Sequence, residues 1–313
     1  MTTLAAATIA LTVLSVCVPS VATPEHASQT TQPTFRSAVD RVSVAAVVRD
    51  KRGRFARNLR KEDFVVEEAG ARREILEFHA DENAPVRVAL LFDVSGSMRM
   101  ATRLENARQA ARHVLAAMKL GTDEAAVFSF DMNLQSLQPF TADAGAIENA
   151  LARVEPYGQT SLYDAIANTS RRVAERAPGD TRRRAVVVFT DGMDTSSELT
   201  PGQVSAIASE IDVPVYVVTV VSQVDRDRET EDAPEGSLRA LARWTGGEMF
   251  VTSSPAHESV AARQIVDELR HQYVLAFNAS PTKGWQPLEV KTKHRDLTVR
   301  ARSGYAAGAR AGS

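Results

Sequence analysis

The middle of the chain, from Val86 to Val251, alternates between two patterns of apolar residues. Short continuous apolar runs such as Val86 to Phe92 are typical of strands that are covered on both faces. Between them lie segments whose apolar residues recur at steps of three and four, as on one face of a helix. One such face comprises Met100, Leu104, Ala107, Ala111, Val114, Leu115 and Met118. The pattern predicts an α/β fold with a mostly parallel central sheet and helices on both faces.

The two flanks of this region carry strand-like patterns instead. The apolar runs before it are Val42 to Val48, Phe64 to Glu67 and Arg73 to His79, and those after it are Tyr273 to Phe277, Leu288 to Thr292 and Leu297 to Ala301. The first three runs predict a β-hairpin or meander. Because such a small piece is not stable alone, we expect the two flanks to pair as one small β domain into which the α/β domain is inserted.

The N-terminus differs from the rest of the chain. Leu4 to Val18 is apolar and uncharged, and small residues follow it. This pattern predicts a signal peptide over residues 1–22 and a secreted or periplasmic protein, with envelope association as an alternative. A Ser-, Thr-, Gln- and Pro-rich linker is expected over residues 23–34. A lipid anchor on Cys17, the one cysteine of the chain, is a second alternative.

Composition and charge fit an ordinary globular protein. The 313 residues carry a net charge of −2, and no basic stripe indicates a nucleic-acid partner. The domain boundaries that we expect after the linker are an N-terminal β segment at 35–82, the α/β domain at 86–270, a C-terminal β segment at 271–305 that pairs with the first, and a flexible tail at 306–313.

Oxygen-bearing side chains gather where the predicted strands end. Asp93, Ser95 and Ser97 follow one apolar run at alternate positions, Thr160 precedes a helical pattern, and Asp191 follows the run that starts at Val186. In open α/β sheets, ligands bind beyond the carboxyl ends of the strands. These five residues therefore predict one metal site.

The ligand types indicate the ion and what it binds. Oxygen ligands without histidine or cysteine favour a hard divalent cation, with Mg²⁺ as the leading expectation and Mn²⁺ or Ca²⁺ as alternatives. Two carboxylates neutralise the ion formally, while the hydroxyls are weak donors, so the ion stays electrophilic. We expect it to bind an Asp or Glu carboxylate of a protein partner, and no small-molecule substrate is expected.

These residues resemble the complete metal-ion-dependent adhesion site of von Willebrand factor type A domains. The stretches FDVSGSM, GQTSLYDAI and FTDGMDTSS match that family in three separate places. The chain from about Phe35 to Tyr305 is similar to a bacterial family of secreted or envelope proteins, the VWFA-related domains. The resemblance implies a Rossmann-like fold, a divalent metal and protein binding. We expect a non-enzymatic protein.

The same residues are also compatible with other functions. A metal-dependent phosphohydrolase could use Asp93 as its nucleophile, although such enzymes usually carry a second carboxylate where this chain has Ser95. A structural envelope module is a further alternative, and so is a site that no longer binds metal, in which the serines only cap a helix. The sequence contains no G-x-S-x-G elbow, HExxH pair or P-loop.

Four further acidic residues have less specific interpretations. Asp164 and Asp194 could orient a metal ligand through a hydrogen bond, but the first turn of a helix and a loop cap are the expected roles. Asp123 and Asp131 bracket a predicted strand and are expected to be turn residues.

Overall fold

The computed structural model describes residues 41–100, 102–156, 158–175, 180–210, 212–220, 235–252 and 254–307. The chain divides into two compact units, residues 1–38 and 39–313. The first unit, with the predicted signal peptide and linker, lies outside the described residues, and so do residues 308–313 of the predicted tail. Of the helices in the described ranges, none is both long and apolar enough to cross a membrane.

The described part of the chain contains fourteen strands and six α-helices. The strands are β1 Arg41–Asp50, β2 Phe64–Glu68, β3 Ala71–Arg73, β4 Glu77–Ala80, β5 Val86–Asp93, β6 Glu124–Phe130, β7 Leu134–Thr141, β8 Arg183–Thr190, β9 Val215–Val220, β10 Met249–Thr252, β11 Tyr273–Asn278, β12 Gly284–Thr292, β13 Leu297–Ala301 and β14 Gly304–Ala307. The helices are α1 Arg103–Ala117, α2 Ala144–Ala152, α3 Leu162–Ala174, α4 Pro201–Glu210, α5 Glu235–Trp244 and α6 Pro255–Arg270.

Six strands form the central sheet in the order β10-β9-β8-β5-β6-β7. All neighbours are parallel except β7, which runs antiparallel to β6 at one edge. The chain passes from β5 to β6 on one side and later returns to place β8 on the other side of β5. The crevice at the carboxyl ends of β5 and β8 is therefore the switch point at which such sheets bind ligands. The predicted α/β, Rossmann-like fold with a mostly parallel sheet is confirmed.

Both faces of this sheet are covered by helices. On β5, Val88, Leu90 and Phe92 belong to a core cluster shared with α1, α2 and α6. Ala89 and Leu91, which alternate with them, belong to a second cluster shared with α3, α4 and α5. Because successive residues of a strand face opposite sides, a strand with two covered faces must be apolar at every position.

One helix boundary differs from the prediction, and the difference affects the site. The apolar spacing predicts that Met100 lies on the buried face of a helix, but α1 begins only at Arg103. The preceding residues, Gly96–Arg99, form a 3₁₀ turn that ends with a hydrogen bond from the Met100 N–H to the carbonyl of Ser97. Spacing by three residues suits a 3₁₀ turn as well as a helix. Met100 is exposed, whereas Leu104 and Ala107 are buried as predicted.

The β-rich flanks form two four-stranded sheets, ordered β13-β1-β11-β4 and β14-β12-β2-β3. Each contains strands from both ends of the described chain: β1 pairs antiparallel with β11 and β13, and β2 pairs antiparallel with β12. Their apolar residues form one cluster that includes Val44, Val66, Phe277 and Val290.

The predicted β-hairpin or meander from Val42 to Ala80 is found only in part. Only β2 and β3 form a hairpin, while β1 and β4 lie in the other sheet. The run from Arg73 to His79 is divided between the two sheets, and Ile75 between its strands is buried in their common core. The chain therefore crosses from one sheet to the other at Ile75, and the local pattern of the run does not indicate which sheet each part joins. At the other end, β14 extends to Ala307, two residues past the boundary expected for the β segment.

Buried ion pairs join the β sheets to the α/β part. Glu268 of α6 is fully buried and accepts a hydrogen bond from Arg49 of β1 at 2.8 Å, and it also pairs with Arg300 of β13.

Asp123, expected to be a turn residue, is fully buried. It accepts hydrogen bonds from the backbone N–H groups of Val86 and Lys119 and pairs with Arg270 of α6. Asp131 is a turn residue as expected, with its carboxylate accepting from the N–H of Asn133.

Candidate metal centre

The candidate site lies at the carboxyl ends of β5 and β8, the two central strands of the sheet. Asp93 is the last residue of β5, and Asp191 follows β8 directly. Ser95 and Ser97 lie in the loop after β5, and Thr160 lies just before α3. Asp93, Ser95 and Thr160 are buried, whereas Ser97 and Asp191 are partly accessible.

Asp93 is held by neutral hydrogen-bond donors. Its Oδ1 accepts from the backbone N–H of Ser95 at 2.9 Å, and its Oδ2 accepts from the hydroxyl of Thr190 at 2.7 Å. Burial raises the pKa of the Asp93 carboxyl to about 6; these hydrogen bonds oppose the shift, and the nearby charge of Asp191 adds to it. Each carboxylate oxygen keeps a further lone pair, so this buried group can still accept a cation.

The two serines bring their hydroxyls together. Ser95 Oγ and Ser97 Oγ are 3.0 Å apart, because the 3₁₀ turn folds alternate residues of this loop toward one another. We call the loop with Ser95 and Ser97 the first ligand loop and the loop with Thr160 the second. The two loops are hydrogen-bonded, because the Gly96 N–H donates to the carbonyl of Gly158 at 3.0 Å. Gly158 has a φ of +92°, a conformation that favours glycine.

Thr160 joins the site through its backbone. Its carbonyl accepts hydrogen bonds from the N–H groups of Thr195 and Ser196, at 3.0 and 2.9 Å, and its own N–H donates to the hydroxyl of Thr195 at 3.2 Å. The second ligand loop is therefore hydrogen-bonded to the third ligand loop, which begins at Asp191. The three loops that carry the predicted ligands form one hydrogen-bonded group.

Asp191 is paired with an arginine of α1. Arg103 Nη1 lies 2.7 Å from Asp191 Oδ2, and it also donates to the carbonyl of Ser97 at 3.2 Å. Only 12% of the arginine side chain and 6% of the aspartate side chain are exposed. A positive charge of the chain itself therefore contacts one predicted metal ligand.

Asp164 and Asp194 brace the loops. Asp194 Oδ1 accepts from the Leu162 N–H at 2.8 Å and from the Ser197 hydroxyl at 2.6 Å, so it caps the start of α3. Asp164, in the first turn of α3, accepts from the N–H groups of Glu198 and Leu199, each at 2.9 Å. These are the helix-turn and cap roles that the sequence favoured.

Sequence reasoning missed two residues of the site, Thr190 and Arg103. Thr190 ends the apolar run of β8, and a hydroxyl in an otherwise apolar strand next to Asp191 is the signal that could have identified it. Arg103 gives no such signal, since it lies 88 residues from the aspartate that it contacts.

The donor set fits a hard divalent cation. It contains two carboxylates and three hydroxyls, all oxygen donors of the kind that Mg²⁺, Mn²⁺ and Ca²⁺ prefer. Asp93 is a buried carboxylate whose described donors are neutral, so a cation would supply the missing positive charge. Within the described residues, no group of three or more His, Cys, Asp or Glu side chains is placed to hold a metal ion, and the candidate site itself contains only two such side chains.

Comparisons with known proteins agree with this architecture. The family model described as the von Willebrand factor type A domain matches residues 88–193, a span that contains all five predicted ligands. A search of curated proteins gave no match. The von Willebrand factor type A structure from Catenulispora acidiphila is similar over 88% of this chain and 76% of that one, with 14% identity and a TM-score of 0.50, which supports the fold alone.

Two further solved structures match over shorter parts. The conserved hypothetical protein BatB from Bacteroides thetaiotaomicron has 20% identity over 58% of this chain and 98% of that one, with a TM-score of 0.48. Proximal thread matrix protein 1 from the mussel byssus, described with a zinc-occupied metal-ion-dependent adhesion site, has 16% identity over 64% of this chain and 49% of that one, with a TM-score of 0.48. The family-model match therefore identifies residues 88–193 as a von Willebrand factor type A domain, and the α/β topology of the central sheet agrees with it.

Proposed function

We propose that the chain is a non-enzymatic binding module that holds a divalent cation with Asp93, Ser95, Ser97, Thr160 and Asp191. The observation that carries this proposal is the fully buried Asp93 carboxylate, which lies beside a pair of serine hydroxyls and accepts hydrogen bonds from neutral groups. An anionic group without a cation is costly to bury, and a divalent ion removes that cost. Mg²⁺ is the ion that we propose, with Mn²⁺ and Ca²⁺ as alternatives.

The bound ion would face a partner protein. Hydroxyl ligands are neutral and donate weakly, so an ion held by them keeps affinity for another anionic oxygen. We propose that an Asp or Glu carboxylate of the partner completes its coordination. We also propose that the protein acts outside the cytoplasm, on the basis of its N-terminal pattern, and that segments 35–82 and 271–305 form one β domain that carries the binding module.

The burial of Asp93 argues against the phosphohydrolase alternative. A nucleophile must reach the phosphorus atom of its substrate, but the Asp93 side chain exposes no surface. Both of its carboxylate oxygens also accept hydrogen bonds within the protein. Its position suits the holding of an ion better than attack on a substrate.

Calorimetric titration of the protein with Mg²⁺, Mn²⁺ and Ca²⁺ tests the metal site. We expect binding to the wild type and none to Asp93→Ala. The matched control is Asp123→Asn, which alters an equally buried aspartate at the opposite end of the same sheet and should keep its metal affinity. Absence of binding to the wild type, or equal binding to Asp93→Ala, contradicts the proposal.

Affinity capture from an envelope extract separates the binding module from a purely structural one. Captured proteins should be released by EDTA and should be absent with Asp93→Ala, while Asp123→Asn retains them. If the ion only stabilises the fold, Asp93→Ala loses melting temperature but captures the same proteins. Fractionation of cells that express the full chain tests the proposed location.

A further inference from the structure

Three methionines are exposed in the loops around the candidate metal centre. Met100, Met132 and Met193 have relative exposures of 55, 58 and 49%. The other methionines of the described residues are buried, namely Met98, Met118 and Met249. In the described part of the chain, exposure of this residue type is therefore confined to one region, whereas isolated exposed apolar residues elsewhere need no explanation.

Two of these methionines are bonded to segments that carry predicted ligands. The N–H of Met100 donates to the carbonyl of Ser97 at 3.1 Å. The N–H of Met193 donates to Asp191 Oδ1 at 3.4 Å, a long hydrogen bond. Each methionine therefore lies directly beside a ligand, in the first and the third loop respectively.

Met132 lies beside the second loop. It follows Asp131, whose carbonyl accepts a hydrogen bond from the Ser161 N–H at 2.8 Å, next to Thr160. A Cβ atom placed on Gly158 would lie 3.0 Å from the side chain of Asp131, so the two segments are in close contact. Each of the three methionines thus borders a different one of the three ligand loops.

The charge at the same edge of the sheet is partly positive. Arg103 contacts Asp191. Arg99, an exposed residue of the 3₁₀ turn, donates two hydrogen bonds to the carbonyl of Pro156, at 2.9 and 3.1 Å. Because Arg103 is already paired with Asp191, the exposed Arg99 is the positive charge that, together with the proposed ion, favours an acidic group on whatever binds there.

We propose that Met100, Met132 and Met193 form a methionine rim, and that the rim recognises a protein segment in which an acidic residue is flanked by apolar residues. The acidic residue binds the ion, and the flanking side chains cover the methionines. Methionine is flexible and polarizable, so the rim adapts to apolar side chains of different shape. This inference rests on the proposed metal-dependent binding and adds the chemistry of the partner segment.

The test is selection of a random dodecapeptide phage library on the protein in Mg²⁺, with elution by EDTA. We expect selected peptides to carry Asp or Glu with leucine, phenylalanine, valine or methionine within two residues of it. The triple variant Met100→Gln, Met132→Gln, Met193→Gln should still select the acidic residue but lose the apolar neighbours. Glutamine keeps the length of methionine and removes its apolar character.

Synthetic peptides give the quantitative comparison. A selected peptide should bind the triple variant roughly tenfold more weakly than the wild type, because the apolar contacts are lost. The control Val260→Gln removes an equally exposed apolar side chain from α6, which carries no predicted ligand, and should bind like the wild type. Replacement of the peptide's acidic residue by its amide should abolish binding in both.

The outcomes separate this inference from the function on which it rests. Selection of acidic residues among polar neighbours, no selection at all, or equal peptide affinity of wild type and triple variant overturns the rim while calorimetry still reports metal binding. If the wild-type protein binds no metal, the proposed function itself is overturned. Sedimentation of the free protein tests whether a second copy of the chain covers the rim instead. A wild-type dimer that dissociates in the triple variant would contradict a separate partner segment.

Discussion

The contact between Arg103 and Asp191 leads to a prediction about both stability and metal affinity. The guanidinium and the carboxylate are 2.7 Å apart and are largely enclosed, with 12 and 6% of their side chains exposed. The substitution Arg103→Gln removes the positive charge and keeps a polar side chain. In protein stripped of metal, it leaves the Asp191 carboxylate with one neighbouring cation fewer.

The expected magnitude lies between two known cases. Exposed ion pairs contribute up to ~1 kcal/mol, whereas removal of one partner from a fully buried pair costs ~3–5 kcal/mol. For a pair as enclosed as this one, we expect Arg103→Gln to lower the free energy of unfolding of the stripped protein by about 2 kcal/mol.

The same substitution should strengthen metal binding. A divalent ion at Asp191 replaces the charge that Arg103 supplied, so the metal-loaded variant recovers the stability that the stripped variant lost. By thermodynamic linkage, a difference of about 2 kcal/mol corresponds to roughly thirtyfold higher metal affinity. Repulsion between the arginine and the ion acts in the same direction.

Two measurements check this prediction. Urea unfolding in EDTA gives the stability of the stripped protein, and calorimetry gives the Mg²⁺ affinity. The control is Arg112→Gln on the same helix, where the arginine pairs with Glu105 and Glu148 at the surface and should affect both quantities little. The reasoning is refuted if Arg103→Gln binds Mg²⁺ more weakly than the wild type, or if it loses the same stability with and without the ion.

Three further predictions concern other parts of the structure. Thr190→Val removes the hydroxyl that donates to Asp93 and should lower stability by about 2 kcal/mol and metal affinity by about tenfold or more, as measured by urea unfolding and calorimetry. Gly158→Ala places a methyl group 3.0 Å from the Asp131 side chain at a φ of +92°, so a loss of ~2 kcal/mol is expected in thermal unfolding. Burial raises the pKa of Glu258; the folded protein therefore binds this proton more tightly than the unfolded chain, and the stability contributed by the protonated form is lost as pH rises through the folded pKa. Glu258→Gln should remove that loss and stabilise the protein at pH 7 by ~1 kcal/mol, as measured by urea unfolding between pH 4 and 8.

Two of these three predictions have a comparison variant, and the third has an outcome that would contradict it. Thr169→Val alters a buried threonine whose hydroxyl has no hydrogen-bond partner among the described residues, so it should not lower stability. Gly70→Ala has a similar φ of +79° but no atom within 4 Å of the new methyl group, so only the backbone strain of ~1 kcal/mol remains. If the free energy of unfolding depends on pH in Glu258→Gln as it does in the wild type, a group other than Glu258 causes that dependence.

Local pattern was sufficient to predict most of the central sheet. The continuous apolar runs of β5 and β8 follow from burial on two faces, a requirement that acts on every residue of the strand. Local chemistry also defines the start of α4, where Pro201 is the first helical residue and the backbone N–H of Thr200 donates to the side-chain oxygen of Gln203 at 2.8 Å. The start of α1 does not follow from local pattern, because a 3₁₀ turn and a helix share the same spacing of apolar residues.

The candidate site could be predicted only in part. The alternate spacing of Asp93, Ser95 and Ser97 and the position of Asp191 after a strand are local features, and these residues stay a prediction as ligands until metal binding is measured. The orientation of these side chains is not determined by the local sequence. It depends on the hydroxyl of Thr190 and on the loop contact between Gly96 and Gly158, which unite distant segments of the chain.

The sequence by itself determined the α/β architecture with a mostly parallel sheet and the kind of atoms that gather at its edge, because strand burial and residue spacing are properties of contiguous segments. The tertiary structure alone decided that Arg103 contacts Asp191, that the run from Arg73 to His79 is divided between two sheets, and that Met100 is exposed beside the site. These features depend on packing between segments far apart in the chain. A local sequence pattern does not indicate which distant side chain packs against a given residue.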